Sequence, residues 1–491
     1  MRKLKLVFFC GGLTLGSVAV WQAWKPLPDG LDSRGAAWPV AAGDVHFLSD
    51  RTVTPVPEGA RQARQEIFEN VFSMIAEATS FIVADFFLIN DFAGAVGQEG
   101  APLSEQLTDA LVTARQARPD MPVILITDRF NTLYGAVEQP YFTRLREAGV
   151  DVVLTDLRRL RDSNLIYSPV WRVFLQWRDQ PQADGVPNPV GAGSIGLSAF
   201  LELLNFKANH RKVLVTGHED GSVHGLVASA NPHSASVWHG NVALRFRGEP
   251  ARDLLRSEAA VYRFSTGQAL PEAIASHLRK PVDAPFQPSP DGLTLRILTE
   301  KAIARELRRH IAQSGAGDHI DIAQFYFAHI GLRRALAAAV KRGAQVRLLL
   351  DPNLASFGRS KNGIPNHQTA AFLHDRGVQV RWYRTDGEQF HSKMALFRGQ
   401  DGQAALILGS ANWTRRNLHN LNLETNIALV GPARSPALGE AARYFKSVWG
   451  DASGMDEQRI TVSAPFEQHE ERSLLRRGLY HVMERTGAGT F

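Results

Sequence analysis

The feature that most constrains this 491-residue chain is a polar pattern that occurs twice at a constant offset of 181 residues. His210 and Lys212 are matched by His391 and Lys393, and Asp220-Gly221 by Asp401-Gly402. Ser229-Ala230-Asn231 is matched by Ser410-Ala411-Asn412, and Asn241 by Asn422, all without a gap over 32 residues. A period this long is not that of a solenoid, so two copies mean a duplicated domain.

The surrounding segments repeat in the same order. The first half reads as a helix (ARQEIFENVFSMIAEA), a buried strand (SFIVADFFLI), a helix (LSEQLTDALVTARQA), a strand ending at Asp128, a helix (PYFTRLREAG) and a strand (VDVVLTD). The second half repeats the series from AIARELRRHIAQ to VQVRWYR, with its second strand ending at Asp351. Helices alternating with short apolar strands predict a mixed or largely parallel sheet covered on both faces. Each half then closes with a hairpin of His-x-Lys strand, Asp-Gly turn, apolar strand and Ser-x-Asn. The expected fold is therefore α/β, two similar α/β/α sandwich domains with mixed sheets. Such domains would be related by a pseudo-two-fold axis, with the active site at their interface.

The expected boundaries are 1–25 for a signal anchor or signal peptide, 26–60 for a linker with a first strand, and 61–260 for the first domain. The second domain is expected at 290–450 and a C-terminal tail at 451–491. The halves differ in one place: 82 residues separate Asp128 from His210, but only 40 separate Asp351 from His391. The excess falls around 160–202, where aromatic and aliphatic residues cluster. That insertion reads either as a lipid- or substrate-contacting element or as a packed helical extension.

The N-terminus, MRKLK followed by about 16 apolar residues, has the pattern of an export signal. As a helix from Leu6 to Ala23 it would reach roughly 27 Å, slightly short of a bilayer core. It reads either as an uncleaved anchor, with Arg2, Lys3 and Lys5 cytoplasmic, or as a segment cut after Ser17-Val18-Ala19. Both place the body outside the cytoplasm, on the periplasmic side of the inner membrane in a Gram-negative cell. Cys10 is the only cysteine, which excludes disulfides and Cys-ligated zinc in the body. A net charge of +6 suits an anionic partner without choosing one.

Residues i and i+2 of a strand share a face, so His210 and Lys212 emerge together, as do His391 and Lys393. With Asn231 and Asn412 the two halves would offer two imidazoles, two ammonium groups and two amides to one cleft. Such a set suits a phosphodiester: lysines and amides bind non-bridging oxygens, one histidine attacks phosphorus, and the other moves the proton. No carboxylate cluster has metal-ligand spacing, and neither metal nor cofactor is expected. Asp128 and Asp351, at strand ends, read as turn formers. His218, His233, His239 and His419 read as loop residues near the site, and Arg359, Lys361 and Asn362 as head-group contacts.

These residues carry a resemblance. HSKMALF…ILGSANWTRRNLHNLNLE matches the doubled HxK/GSxN motif of the phospholipase D superfamily closely, and NHRKVLV…LVASANPHSASVWHGN matches it less well. The resemblance spans about 40–450. It implies a bilobal fold and a metal-independent, two-step transfer through a phosphohistidine, with His210 as nucleophile and His391 as general acid/base. It further implies that Lys212, Lys393, Ser229, Asn231, Ser410 and Asn412 bind phosphate and that Glu424 orients a histidine. Two departures stand out. Gly217 and Arg398 occupy the positions where the family has Asp. Glu424 has Ala243 at its offset position, leaving one histidine without an in-motif orienter, for which Asp85 or Glu202 are substitutes. The family's substrates divide the expectation. A glycerophospholipid, hydrolysed or transferred at a membrane surface as by phospholipase D or a cardiolipin synthase, suits the export signal best. The alternatives are an exported nuclease and a degenerate phosphate- or lipid-binding protein. No obligatory protein partner is implied, since duplication within one chain completes the site.

Overall fold

The computed structural model describes residues 2–53, 62–91, 102–178, 180–182, 185–190, 193–279, 291–356, 359–385, 387–450 and 462–489. The repeated elements fold as the periodicities predict. Helix Ile67–Glu77 buries Ile67, Phe68, Val71, Met74 and Ile75 along one stripe. Strands Phe81–Phe86 and Val123–Thr127 are buried along their whole length, which is why they read as unbroken apolar runs.

Two mixed sheets result. In the first, Val45–Val53, Asn241–Arg247, Val223–Ala228, Lys212–Gly217 and Phe81–Phe86 pair antiparallel in that order, followed in parallel by Val123–Thr127 and Asp151–Leu154. The second repeats the order and directions with Leu293–Thr299, Thr425–Pro432, Gln403–Gly409, Lys393–Arg398, His319–Gln324, Gln345–Leu350 and Gln379–Tyr383. In both hairpins the Asp-Gly pair makes the turn. Asp220 Oδ1 accepts from Ser222 N at 2.8 Å and Asp401 Oδ1 from Gln403 N at 2.9 Å. Gly221 and Gly402 take φ of +83° and +76°, which a glycine adopts without steric cost.

The halves form one packed body. A single core contains Val215 and Leu244 of the first half together with Leu406, Leu408, Leu429 and Tyr444 of the second. Each half also has its own outer core beneath its helices. The long helix of each half, Glu249–Thr266 and Pro436–Trp449, packs against the first strand of the other half's sheet, Leu293–Thr299 and Val45–Val53 respectively.

The expected flanking segments do more than link. Trp38–Val40 extends the second sheet beside Leu293–Thr299. Ser463–Pro465 extends its far edge beside Gln379–Tyr383. Thus the N-terminal segment joins both sheets, and the tail adds a strand and the helix Leu474–Thr486; residues 451–461 lie outside the described set. The N-terminal apolar run forms the helix Arg2–Trp24. Its end is tied to the insertion, where Gln22 O accepts from Asp162 N at 3.1 Å and Lys25 O from Arg161 Nε at 2.8 Å. Among the described residues no helix is long and apolar enough to cross a membrane, so the anchor expectation gains no support here.

Candidate active site

The histidines are brought together by backbone pairing between the halves. His210 N donates to Leu423 O at 2.9 Å, and Leu423 N donates to Ala208 O at 3.0 Å. Reciprocally, Gly240 N donates to Gln389 O at 3.0 Å, beside a parallel bridge between Gly240 and Phe390. The segment just before each histidine therefore pairs with the segment just before the third hairpin-side strand of the other half.

This pairing exposes a slip in the constant offset. Twelve residues separate Asn412 from Glu424, but ten separate Asn231 from Asn241. Asn241, not Ala243, is the structural counterpart of Glu424, and its alignment with Asn422 is corrected. Glu424 Oε1 lies 3.0 Å from His210 Nδ1, and Asn241 Oδ1 lies 3.1 Å from His391 Nδ1. The orienter of His391 is therefore an amide. Asp85 and Glu202 are not substitutes: Asp85 accepts from Asn209 Nδ2, and Glu202 pairs with Arg129 and Arg158.

The serines hold the orienters. Ser229 Oγ donates to Asn241 Oδ1 at 2.9 Å, and Ser410 Oγ donates to Glu424 Oε2. Asn417 Nδ2 donates to the other oxygen, Oε1. The proton of each serine hydroxyl is thereby committed to a positioning bond, which argues against the phosphate-binding role expected of Ser229 and Ser410. Asn231 and Asn412 differ. Each is buried, and each leaves its amide oxygen without a hydrogen-bond partner among the described residues. Turning either amide over presents Nδ2 there as a donor.

Lys212 and Lys393 are fully buried and donate to the carbonyls of His210 and His391 at 2.6 and 2.7 Å. Each ammonium stands over an aromatic ring 5.1 Å away, Phe87 and Phe325 respectively. Those rings also pack on the histidines, at 5.1 Å for Phe87–His210 and 4.9 Å for Phe325–His391. These aromatic platforms escaped the sequence reading because they lie outside the 181-residue register.

Asp128 and Asp351 prove to be more than turn formers. Asp128 Oδ2 accepts from Asn209 N at 2.6 Å and Asp351 Oδ2 from Phe390 N at 2.7 Å, fixing the residue before each histidine. Their other oxygens accept from Phe130 N and Asn353 N, both at 2.6 Å. Burial pushes both carboxyls up to about 7.

Beneath the site lies a buried ionic network. Arg211, between the motif His and Lys, pairs with Glu258 at 2.9 Å and with Glu300 of the second half at 2.7 Å. Glu300 also accepts from Glu424 N at 3.2 Å and from Asp32 N at 2.8 Å. It holds a φ of +47° at the start of its helix, a conformation a non-glycine residue keeps only where its surroundings enforce it. Burial and the neighbouring Glu258 charge hold Asp85 well above the usual carboxylate range.

The electrostatics of the site are those of crowded basic groups. Burial, only partly offset by Glu424, pushes His210 down to about 4. Burial also lowers Lys212 to about 7. His391 and Lys393 are held well below their ordinary values by burial and by the neighbouring cations, Lys393 and Lys212 respectively leading. His391 feels both Lys212 and His210, so the four motif side chains share one field. With Nδ1 of each neutral ring donating to its orienter, Nε2 carries the free lone pair. The His239 ring lies 5.8 Å from that of His391 and is tilted against it, whereas His419 pairs with His329 at 2.9 Å and His218 packs against His224. Lys361 donates to Tyr326 Oη, and the side chain of Arg359 lies outside the described residues.

Fold and site together define a bilobal α/β protein with a doubled His-x-Lys centre. Residues 307–449 match the family described as "Cardiolipin synthase, PLD-like domain". The matched stretch lies in the second half and contains His391, Lys393, Asn412 and Glu424. It superposes on phosphatidylserine synthase from Haemophilus influenzae Rd KW20 with a TM-score of 0.56 at 11% identity, over 94% of this chain and 96% of that one. A weaker likeness, TM-score 0.27 at 17% identity, links 34% of this chain to 97% of Nuc, a phospholipase D family member from Salmonella typhimurium. No curated protein matches the sequence significantly.

Proposed function

We propose that the chain is a phosphodiesterase or phosphatidyltransferase acting on glycerophospholipids through a phosphohistidine. The observation that carries this reading is the reciprocal pair of His/Lys sets, each histidine held by the other half. His210 Nε2 attacks phosphorus, the P–O bond to the leaving alcohol breaks, and a proton from His391 Nε2 neutralises the alkoxide. In the second step His391 takes the proton from water or an alcohol, whose oxygen attacks phosphorus and displaces His210. Lys212, Lys393, Asn231 and Asn412 offset the charge on the non-bridging oxygens.

The amide at His391 and the carboxylate at His210 support this division. A carboxylate on Nδ1 makes the opposite nitrogen the stronger nucleophile and stabilises the charged phosphohistidine. An amide leaves His391 the weaker base, suited to giving its proton up. A lipid substrate is supported by the insertion, which runs into His210 through 204–209 and exposes Ile166, Phe174 and Trp177. The helix Arg2–Trp24, tied to the insertion, exposes Trp21 and Trp24 as well. Aromatic side chains suit the membrane–water boundary. The body lying outside the cytoplasm against a bilayer is part of the same proposal.

The test is incubation of the full chain and its His391→Ala variant with liposomes of phosphatidylglycerol and phosphatidylethanolamine, and separately with single-stranded DNA. Phosphatidic acid or cardiolipin from the unaltered chain alone supports lipid chemistry and tells water from alcohol as acceptor. Shortened DNA with intact lipid would overturn the lipid reading in favour of a nuclease. Intact substrates in both would leave a phosphate- or lipid-binding protein.

A further inference from the structure

A second cationic cavity, of about 490 Å³, opens between helices Ile330–Lys341, Asn366–His374 and Leu474–Thr486. None of the motif histidines or lysines lines it. Its walls carry six arginines, Arg333, Arg334, Arg376, Arg472, Arg477 and Arg485, against two acids, Asp375 and Glu471. Both acids are already taken: Asp375 by Arg472 at 3.2 Å, and Glu471 by Arg476 at 2.6 Å. Among the described residues the other five arginines form no ion pair.

Some of these guanidiniums are held by stacking instead. Arg333 stands 4.6 Å over Phe372 and 4.8 Å over Tyr480, and Arg376 stands 3.9 Å over Phe372. Stacking fixes a guanidinium plane while leaving its N–H edge to other acceptors. Two buried polar side chains lining the cavity are left incomplete. Among the described residues, Gln368, 6% exposed, finds no hydrogen-bond partner for either amide atom, and Arg333, 4% exposed, finds none for its Nε. Buried polar groups in folded proteins are nearly always satisfied, so each such vacancy asks for a partner. The cavity also carries a positive field: His481 is depressed by burial and then by Arg333, Arg485, Arg477 and Arg334.

We propose that this cavity is a binding site, separate from the His/Lys centre, for a multiply charged phosphoryl anion. Guanidinium forks match phosphate oxygens two at a time, and five unpaired positive charges need more than one negative charge to offset them. The volume exceeds what one phosphate fills, so a diphosphate, a phosphorylated small molecule or the head group of an anionic phospholipid fits. Tyr480 ties the site to the centre mechanically, because its hydroxyl donates to Ala328 O, three residues past the Phe325 that packs on His391.

The test titrates sodium pyrophosphate into the full chain at low ionic strength by calorimetry. It compares the unaltered protein with the double variant Arg334→Gln, Arg477→Gln. Both side chains are exposed, so the fold is retained and turnover at the His/Lys centre stays unchanged. The expected result is binding weakened by roughly tenfold or more in the variant. A parallel arm floats both proteins with phosphatidylcholine vesicles with and without phosphatidylglycerol. Loss of pyrophosphate binding identifies a soluble phosphoryl anion. Loss confined to the phosphatidylglycerol vesicles identifies a lipid head group. Unchanged behaviour in both arms overturns the proposal.

Discussion

Asn241 and Glu424 occupy equivalent places in the two halves, and each reaches across to the histidine of the other. Asn241 Oδ1 is 3.1 Å from His391 Nδ1 and Glu424 Oε1 is 3.0 Å from His210 Nδ1. The arrangement is reciprocal in geometry and unequal in charge.

That inequality predicts opposite pH shifts. Glu424 raises the His210 pKa against burial. Glu424→Gln therefore moves the acid limb of kcat/KM assigned to His210 further below pH 4, and lowers the rate by roughly 10²–10⁴. Asn241→Asp places a carboxylate on His391 and moves its limb upward. Steady-state pH profiles of both variants check this; shifts in the same direction would sink the division of labour.

Binding of an anionic phosphodiester is expected to take up protons. Burial depresses both histidines and both lysines, and neighbouring cations add to it at His210, His391 and Lys393. An anionic phosphodiester raises all four. Calorimetry of a non-hydrolysable phosphonate diester at pH 7, in buffers of different ionisation heat, should show uptake of about one proton. Affinity should fall as pH rises. Proton release would contradict the charge assignment.

Arg211→Met should destabilise the fold by about 3–5 kcal/mol, because it leaves Glu258, Glu300 and Asp85 buried without their cation. Adding Glu300→Gln should recover part of the loss. Denaturant unfolding of the single and double variants measures both effects, and equal midpoints for the single variant and the parent would refute the network's role.

Glu484 tests the tail. Burial raises its carboxyl to about 8, against Arg415, Arg416 and Arg333 nearby. A raised acid stabilises the fold fully below its unfolded pKa and loses that contribution as pH rises through 8. Glu484→Gln keeps an acceptor for Arg415 N, bonded at 3.0 Å. Relative to the parent, its stability should improve by about 1–3 kcal/mol between pH 5 and pH 9. Thermal melts at the two pH values decide it.

Much of the fold was legible because it rests on local period. The buried stripe of Ile67–Glu77, the apolar run of Val123–Thr127 and the Asp-Gly turns are each set by neighbours in sequence. The His and Lys of the centre were legible because i and i+2 share a strand face. Asn241 was not, because a two-residue difference in the segment after the Ser-x-Asn motif breaks the constant offset before the orienter is reached. Arg211 was equally hidden, since Glu258 and Glu300 lie 47 and 89 residues further along the chain. The clamping role of Asp128 depends on Asn209, 81 residues away, which no local pattern reports.

The crossed placement of Asn241 and Glu424 also bears on how such a gene can change. After an ordinary duplication, one copy drifts while the other keeps the ancestral task. Here neither copy has that freedom, because a lesion in one is felt at the histidine of its twin. The two halves are heritable only as a pair, and a substitution at either orienter is a change to both.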